Sequence, residues 1–156
     1  MASNLRAITD AITNLSVSFT NEAGSSVTPT AKDINQIPVS MGAADLPVRL
    51  LGVTTEGGNT DTMVFDAVST NVEFTHTVTE LALIESVGLS RKMDELPDQQ
   101  RYSDAILGAL QDNRGIYTNC DITDATTTRT IVEFPGGSDE FYYGVITIIT
   151  VRELSS

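Results

Sequence analysis

The sequence predicts an α+β fold, a mostly antiparallel sheet flanked by two helices and containing a long strand or hairpin. Three observations carry that prediction. Stretches of helical and extended periodicity follow one another as helix, strands, helix, strands, without the strict strand–helix alternation of a parallel α/β sheet. Residues 72–87 hold an extended pattern for about 16 residues, a reach of some 50 Å. Finally, FYYGVITIITVRE (residues 141–153) is apolar on both sides: Phe141, Tyr143, Val145, Thr147, Ile149 and Val151 alternate with Tyr142, Gly144, Ile146, Ile148 and Thr150. A strand that wants cover on both faces is central in a layered sheet or belongs to a sheet that meets another subunit. At 156 residues the chain is long enough for one real core, so residues 1–156 are read as a single domain.

Taken in order, Ser3 is placed to cap a helix over residues 3–19. Leu5, Ile8, Ile12, Leu15 and Phe19 step by three or four, and Ala7 and Ala11 widen the stripe. TNEAGSSVTPT (20–30) is a run of turn formers and reads as a loop. Pro47 opens a strand in LPVRLLGV (46–53), and MVFDAV (63–68) gives a second, short one. In the long segment, Val72, Phe74, His76 and Val78 share one face, after which the apolar phase moves to Leu81 and Leu83. A switch of face near Glu80 predicts a β-bulge or sharp bend there.

Leu96-Pro97-Asp98 starts a second helix over 97–113, with Tyr102, Ile106, Ala109 and Leu110 on one side and a glycine C-cap expected at Arg114-Gly115. Strands follow at 116–122, 129–134 and 145–151, the last two joined as a hairpin across PGGSDE. The glycine pairs Gly57-Gly58 and Gly136-Gly137 lack the spacing of phosphate loops and read as turns.

Composition narrows the function classes. Two lysines and seven arginines face 21 carboxylates, a formal charge of -12. A protein that grips nucleic acid does so with Lys and Arg, so attraction to phosphate is not expected. No stretch approaches about 18 consecutive apolar residues and the N-terminus lacks the uninterrupted core of a secretion signal, which predicts a soluble protein made in the cytoplasm, with no membrane partner. Cys120, the single cysteine, excludes an intrachain disulfide framework and reads as a small, half-buried side chain.

The search for chemistry is brief. His76 is the only histidine and its strand phase points it at packed neighbours; no nucleophile elbow surrounds any serine. Asp121 and Asp124, and Asp94, Glu95 and Asp98 before the second helix, are oxygen donors without a calcium-loop template, and acids before a helix are explained by its dipole. Phe141, Tyr142 and Tyr143 suit a core or an interface better than a base-stacking platform. No catalytic residue, cofactor or metal is therefore expected, and Tyr142, Tyr143, Ile146 and Ile148 are the candidate packing or intersubunit positions. Loops 20–30 and 54–62 are candidate docking surfaces that order on assembly.

The helix over 3–19, the Pro-led strand at Leu46-Pro47-Val48, the long strand 72–87, the helix 97–113 and the closing Tyr-Tyr-Gly-Val-Ile-Thr-Ile strand together resemble the tail terminator proteins of long-tailed phages. The resemblance implies an α+β fold. It also implies a virion subunit, located at the tail and neck, that forms a ring of six copies capping the tail tube and joining it to the neck and head. DNA would pass through the channel without specific binding. Six copies would carry a formal charge of about -72, which repels a sliding duplex. Other neck, head-to-tail connector or tail-tube proteins are the nearest alternative. A divalent-cation enzyme or ligand-binding domain using Asp94, Glu95, Asp121 or Asp124 is the alternative from another class. A saline host would also account for the acidity, because charged surfaces stay soluble where salt screens them.

Overall fold

The structure, a computed structural model, describes residues 3–33, 45–52, 59–65, 71–88, 95–133 and 140–155. In chain order the elements are α1 (Leu5–Thr13), β1 (Phe19–Thr20), β2 (Ser26–Val27), β3 (Thr30–Asp33), β4 (Val48–Leu51), β5 (Asp61–Phe65), β6 (Val72–Ser86), α2 (Pro97–Asp112), β7 (Cys120–Glu133) and β8 (Phe141–Ser155). β1 and β2 form a small hairpin, and the other strands form one sheet in the order β3-β4-β6-β8-β7. β5 lies beside β6 as well, on the same edge as β4 but further along: β4 pairs with residues 80–83 of β6 and β5 with residues 72–76. Every pairing is antiparallel except β3 with β4. The fold is α+β, as the element order predicts. Among the described residues no helix is long and apolar enough to cross a membrane.

Both helices lie on the same face of this sheet. Ile8 and Ile12 of α1, and Tyr102, Ile106 and Leu110 of α2, pack with Leu51, Val78, Ala82, Ile122, Val145, Ile149 and Val151. On the opposite face Val48, Leu50, Leu81, Leu83 and Tyr142 make a smaller cluster, with Leu46, Val132 and Ile146 at its margin. The two-sided pattern of 141–153 thus has two answers along one strand: the helix-side core covers Val145, Ile149 and Val151 on one face, leaving Phe141 exposed, and the second cluster covers the other face only near Tyr142 and Ile146.

Several expectations need correction. α1 stops at Thr13, and Phe19, assigned to the helix by its spacing, starts β1 instead. Segment 20–30 is mostly a tight hairpin: Asn21 N–H donates to Ser25 O (2.8 Å), and Gly24, at φ +82, takes the left-handed turn position that a side chain disfavours. β6 does not change phase at Glu80. Val78, Ala82 and Ile84 face the helices while Leu81 and Leu83 face away, so what resembled a switch is a passage from one-sided to two-sided burial. The register shift comes later, between Leu83 and Glu85.

α2 ends on Asn113, whose side chain donates to Ala109 O (2.8 Å), and Gly115 is not left-handed, so the expected glycine cap is not made. The strands expected at 116–122 and 129–134 are a single strand, β7, which runs through the threonine-rich DATTT with a bulge between Ile122 and Asp124. β7 does pair antiparallel with β8, as the hairpin predicts; residues 135–139 of the connection, Gly57-Gly58 and residues 66–68 lie outside the described residues. The glycine interrupting the last strand has a packing reason. A Cβ on Gly144 would sit 3.0 Å from Val132 Cγ2 and 3.2 Å from Ala82 O, and the Gly144 carbonyl accepts from Gln99 Nε2 (2.8 Å), which also donates to Thr130 O (3.1 Å). Gln99 Oε1 in turn accepts from Leu96 N–H (2.6 Å), so one side chain fastens the start of α2 to the sheet.

Candidate functional site

Two buried polar networks hold the helices and strands together. In the first, Arg49 of β4 and Glu80 of β6 lie within the helix-covered core, each essentially inaccessible to solvent. Arg49 Nε and Nη2 donate to Glu80 Oε2 (3.1 and 2.8 Å), and Tyr102 Oη of α2 donates to Glu80 Oε1. The guanidinium also donates through Nη1 to Leu15 O (2.7 Å), just past the end of α1, and through Nη2 to Ile12 O (3.2 Å), a last-turn carbonyl that also accepts from Leu15 N–H (3.1 Å). A cation at a helix C-terminus also complements the dipole. Burial pushes the Tyr102 phenol well above its ordinary value and the Glu80 charge pushes the same way, so Tyr102 remains a donor.

The second network centres on His76. The ring is buried and stacked on Phe74, centroids 5.8 Å apart, as its strand phase predicts. Its neighbours are also ionisable, which strand phase did not reveal. Nδ1 lies 2.8 Å from Asp61 Oδ1 of β5, and Nε2 lies 2.9 Å from Glu153 Oε2 of β8. Glu153 is buried and accepts from Asn4 Nδ2 (2.7 Å) and from Asn4 N–H (3.1 Å to each oxygen). Asn4, not Ser3, is the residue before α1, and it makes no side-chain cap because its amide is committed to Glu153. One imidazole therefore joins β5, β6 and β8, and through Glu153 the start of α1.

The groups do not assemble into a nucleophile with its base. Cys120 of β7 is the cross-strand partner of Glu153 on β8, but β8 separates it from His76 on β6, about 9–10 Å away from strand axis to strand axis. Its thiol is buried and donates to Thr118 O (3.4 Å); burial first, then the charges of Glu153 and Asp121, push it up to about 11. Such a thiol is protonated near neutral pH and a poor nucleophile. Among the described residues no three His, Cys, Asp or Glu side chains gather as a metal site. Of the four acids named for that alternative, Glu95 is paired with Arg129, Asp121 faces Arg152 at 3.9 Å, Asp124 lies exposed on β7, and Asp94 is outside the described residues.

What remains is surface. Beyond the small second cluster, the face of the sheet turned from the helices carries no helix among the described residues. The β6–β8–β7 register sets out its rows: Thr79, Ile148 and Thr126; Thr77, Thr150 and Asp124; Thr75, Arg152 and Asp121. A last row, Val64, Glu73 and Leu154, extends it onto β5. Ile148 (37 %), Val64 (55 %) and Leu154 (47 %) are exposed in this field of threonines and carboxylates.

The candidate contact residues divide accordingly. Tyr142 and Tyr143 are buried within the chain, Tyr142 donating to Glu140 Oε2 (2.6 Å); Ile146 is half-buried, and Ile148 is open to solvent. Of the two candidate docking loops, 20–30 is tied down through Glu22 N–H donating to Asp98 Oδ1 (3.1 Å). In 54–62, Asn59 accepts from Thr79 Oγ1 (2.7 Å) and Asp61 begins β5. The short strand expected at 63–68 is β5, which begins two residues earlier at Asp61; what sequence reasoning missed is its exposure, and the signal was three successive apolar residues, Met63-Val64-Phe65, followed by a charge instead of a second alternation. No family model matches the chain, and no curated protein matches it.

Proposed function

We propose that the chain is a structural, non-enzymatic subunit that acts by self-association: a tail terminator forming a homo-oligomeric ring, of six copies by the resemblance, that caps a phage tail tube and joins it to the neck. The observation that carries the reading is the sheet face left uncovered among the described residues, where Ile148 is exposed next to the second cluster and Val64 and Leu154 are exposed in one row about 20 Å further along. A sheet face with no layer over it and apolar side chains exposed at both ends suits a contact surface, and a ring subunit must bury such a surface against its neighbour. The carboxylates Glu73, Asp121 and Asp124 on the same face, with Arg152 the cation in their rows, suit a wall that does not hold DNA. A neck or tube protein of the same virion would use the same surface, and binding to isolated tail tubes separates the three. The site of action is the virion, after synthesis in the host cytoplasm.

The test is native mass spectrometry and negative-stain imaging of the purified chain, alone and with tail tubes. Rings of one stoichiometry that seat on tube ends are expected, and Ile148→Asp should abolish them while leaving the circular dichroism spectrum unchanged. A chain that stays monomeric at every concentration and ignores tail tubes overturns the reading.

A further inference from the structure

We propose a second, two-fold contact between copies of this chain, made by β5 pairing antiparallel with β5 of another copy; it rests on the free edge of that strand and goes beyond the ring. Among the described residues β5 is paired on one side only, with β6. Thr60 O accepts from Thr77 N–H at 3.0 Å, which fixes the phase of the ladder. Hydrogen-bonded and non-bonded pairs alternate along antiparallel strands. Thr62 and Val64 therefore exchange bonds with Thr75 and Glu73, while the N–H and C=O groups of Asp61, Met63 and Phe65 point outward.

That outward edge is apolar and unguarded. Met63 (47 %), Val64 (55 %) and Phe65 (71 %) are all exposed, and the strand carries none of the lysines, prolines or bulges that keep sheet edges from pairing. Its occupant must be an extended strand, and a second β5 satisfies every outward group in one register. With Met63 facing the partner's Met63, Asp61 faces the partner's Phe65 and Phe65 faces the partner's Asp61. Each of these pairs can exchange two hydrogen bonds. Sliding by two residues in either direction loses bonds, and sliding to bring the two Asp61 residues together sets like charges opposite one another, which is destabilising. In the centred register Asp61 keeps its carboxylate on His76 Nδ1 at 2.8 Å. Nothing charged then faces a like charge across the seam.

The register is testable by cross-linking. In a Cys120→Ala background, Met63→Cys, Val64→Cys and Phe65→Cys are each oxidised with glutathione disulfide and followed on non-reducing gels, with circular dichroism to confirm folding. Facing Cα atoms in a bonded antiparallel pair are about 5.5 Å apart, within disulfide range, whereas the two Val64 residues are offset by two positions and the two Phe65 residues by four. Met63→Cys should form covalent dimers at least about 10-fold faster than the other two. Equal rates, a faster Val64→Cys or Phe65→Cys, or no dimer from any of them overturns the proposal. Repeating Met63→Cys with Ile148→Asp separates this contact from the ring: cross-linking that persists supports an independent two-fold seam, and cross-linking that disappears overturns it.

Discussion

Residues 78–84 and residues 72–76 belong to one strand but live in different surroundings. The first stretch is covered on both faces, by α1 and α2 on one side and by Leu50, Tyr142 and their neighbours on the other. The second runs beside β5, whose five residues are all exposed, and its buried anchor is polar: His76 between Asp61 and Glu153. Stability is thus concentrated where the helices lie, while the β5 end is held by hydrogen bonds and leaves apolar surface in solvent. A fold divided this way can change partners at one end without disturbing its core.

The largest expected effect tests the covered half. Arg49→Leu leaves Glu80 buried with only Tyr102 as a partner and takes the guanidinium donors away from the Leu15 and Ile12 carbonyls. Breaking a buried pair from one side costs about 3–5 kcal/mol. Asp61→Asn at the other end removes a half-exposed carboxylate that already meets water, and should cost about 1 kcal/mol or less. Urea unfolding at pH 7 measures both. Equal losses would break the comparison between the two halves.

A smaller effect comes from alkaline pH, and it separates the same two regions. The folded state holds the Cys120 thiol at about 11 against an ordinary value of 9.0. The raised value means that the folded chain keeps a proton the unfolded chain has released. Its stabilising share is complete below about pH 9 and is lost as pH climbs through about 11, by at most about 1.4 kcal/mol per pH unit. Unfolding midpoints between pH 8 and 10.5 should fall, and Cys120→Ala should flatten the first part of that fall. The decline that remains above pH 10 belongs to Tyr102, in the helix-covered core, and to Tyr142, on the other face, whose phenols are both pushed up, chiefly by burial. Identical profiles for the two proteins would mean that Cys120 is not buried against Glu153 as described.

The sequence made the covered half far more legible than the other. Period and spacing located α2 almost to the residue, the Pro-led β4 and the length of β6, because each has a core-facing stripe that packing must respect. They misplaced the end of α1 because Leu15 and Phe19 continue the helical spacing by coincidence while packing on the core from outside the helix, Leu15 from the connection after it and Phe19 from β1. The Glu80 misreading has a similar source. A buried carboxylate breaks a hydrophobic pattern, and only the cross-strand position of Arg49, 31 residues earlier, explains why it is tolerated. His76 and Glu153 are 77 residues apart and Asn4 and Glu153 are 149 apart, distances over which no local pattern carries information. Of the four candidate contact residues, strand alternation identified apolar positions but could not say which would be covered by the chain itself.

The smallest effect sharpens the exposed half. Phe65→Ser removes the most exposed of the large apolar side chains, at 71 % accessibility. A surface change away from caps, cavities and buried pairs shifts stability by no more than about 0.5 kcal/mol, so its urea midpoint should match the parent chain. Its association should not: sedimentation velocity across a concentration series should show the mutant shifted toward smaller species, because its β5 edge presents less apolar surface to a second copy. A clear loss of stability with unchanged association would mean that Phe65 packs within the fold, and that the β5 end belongs with the core rather than with the partners.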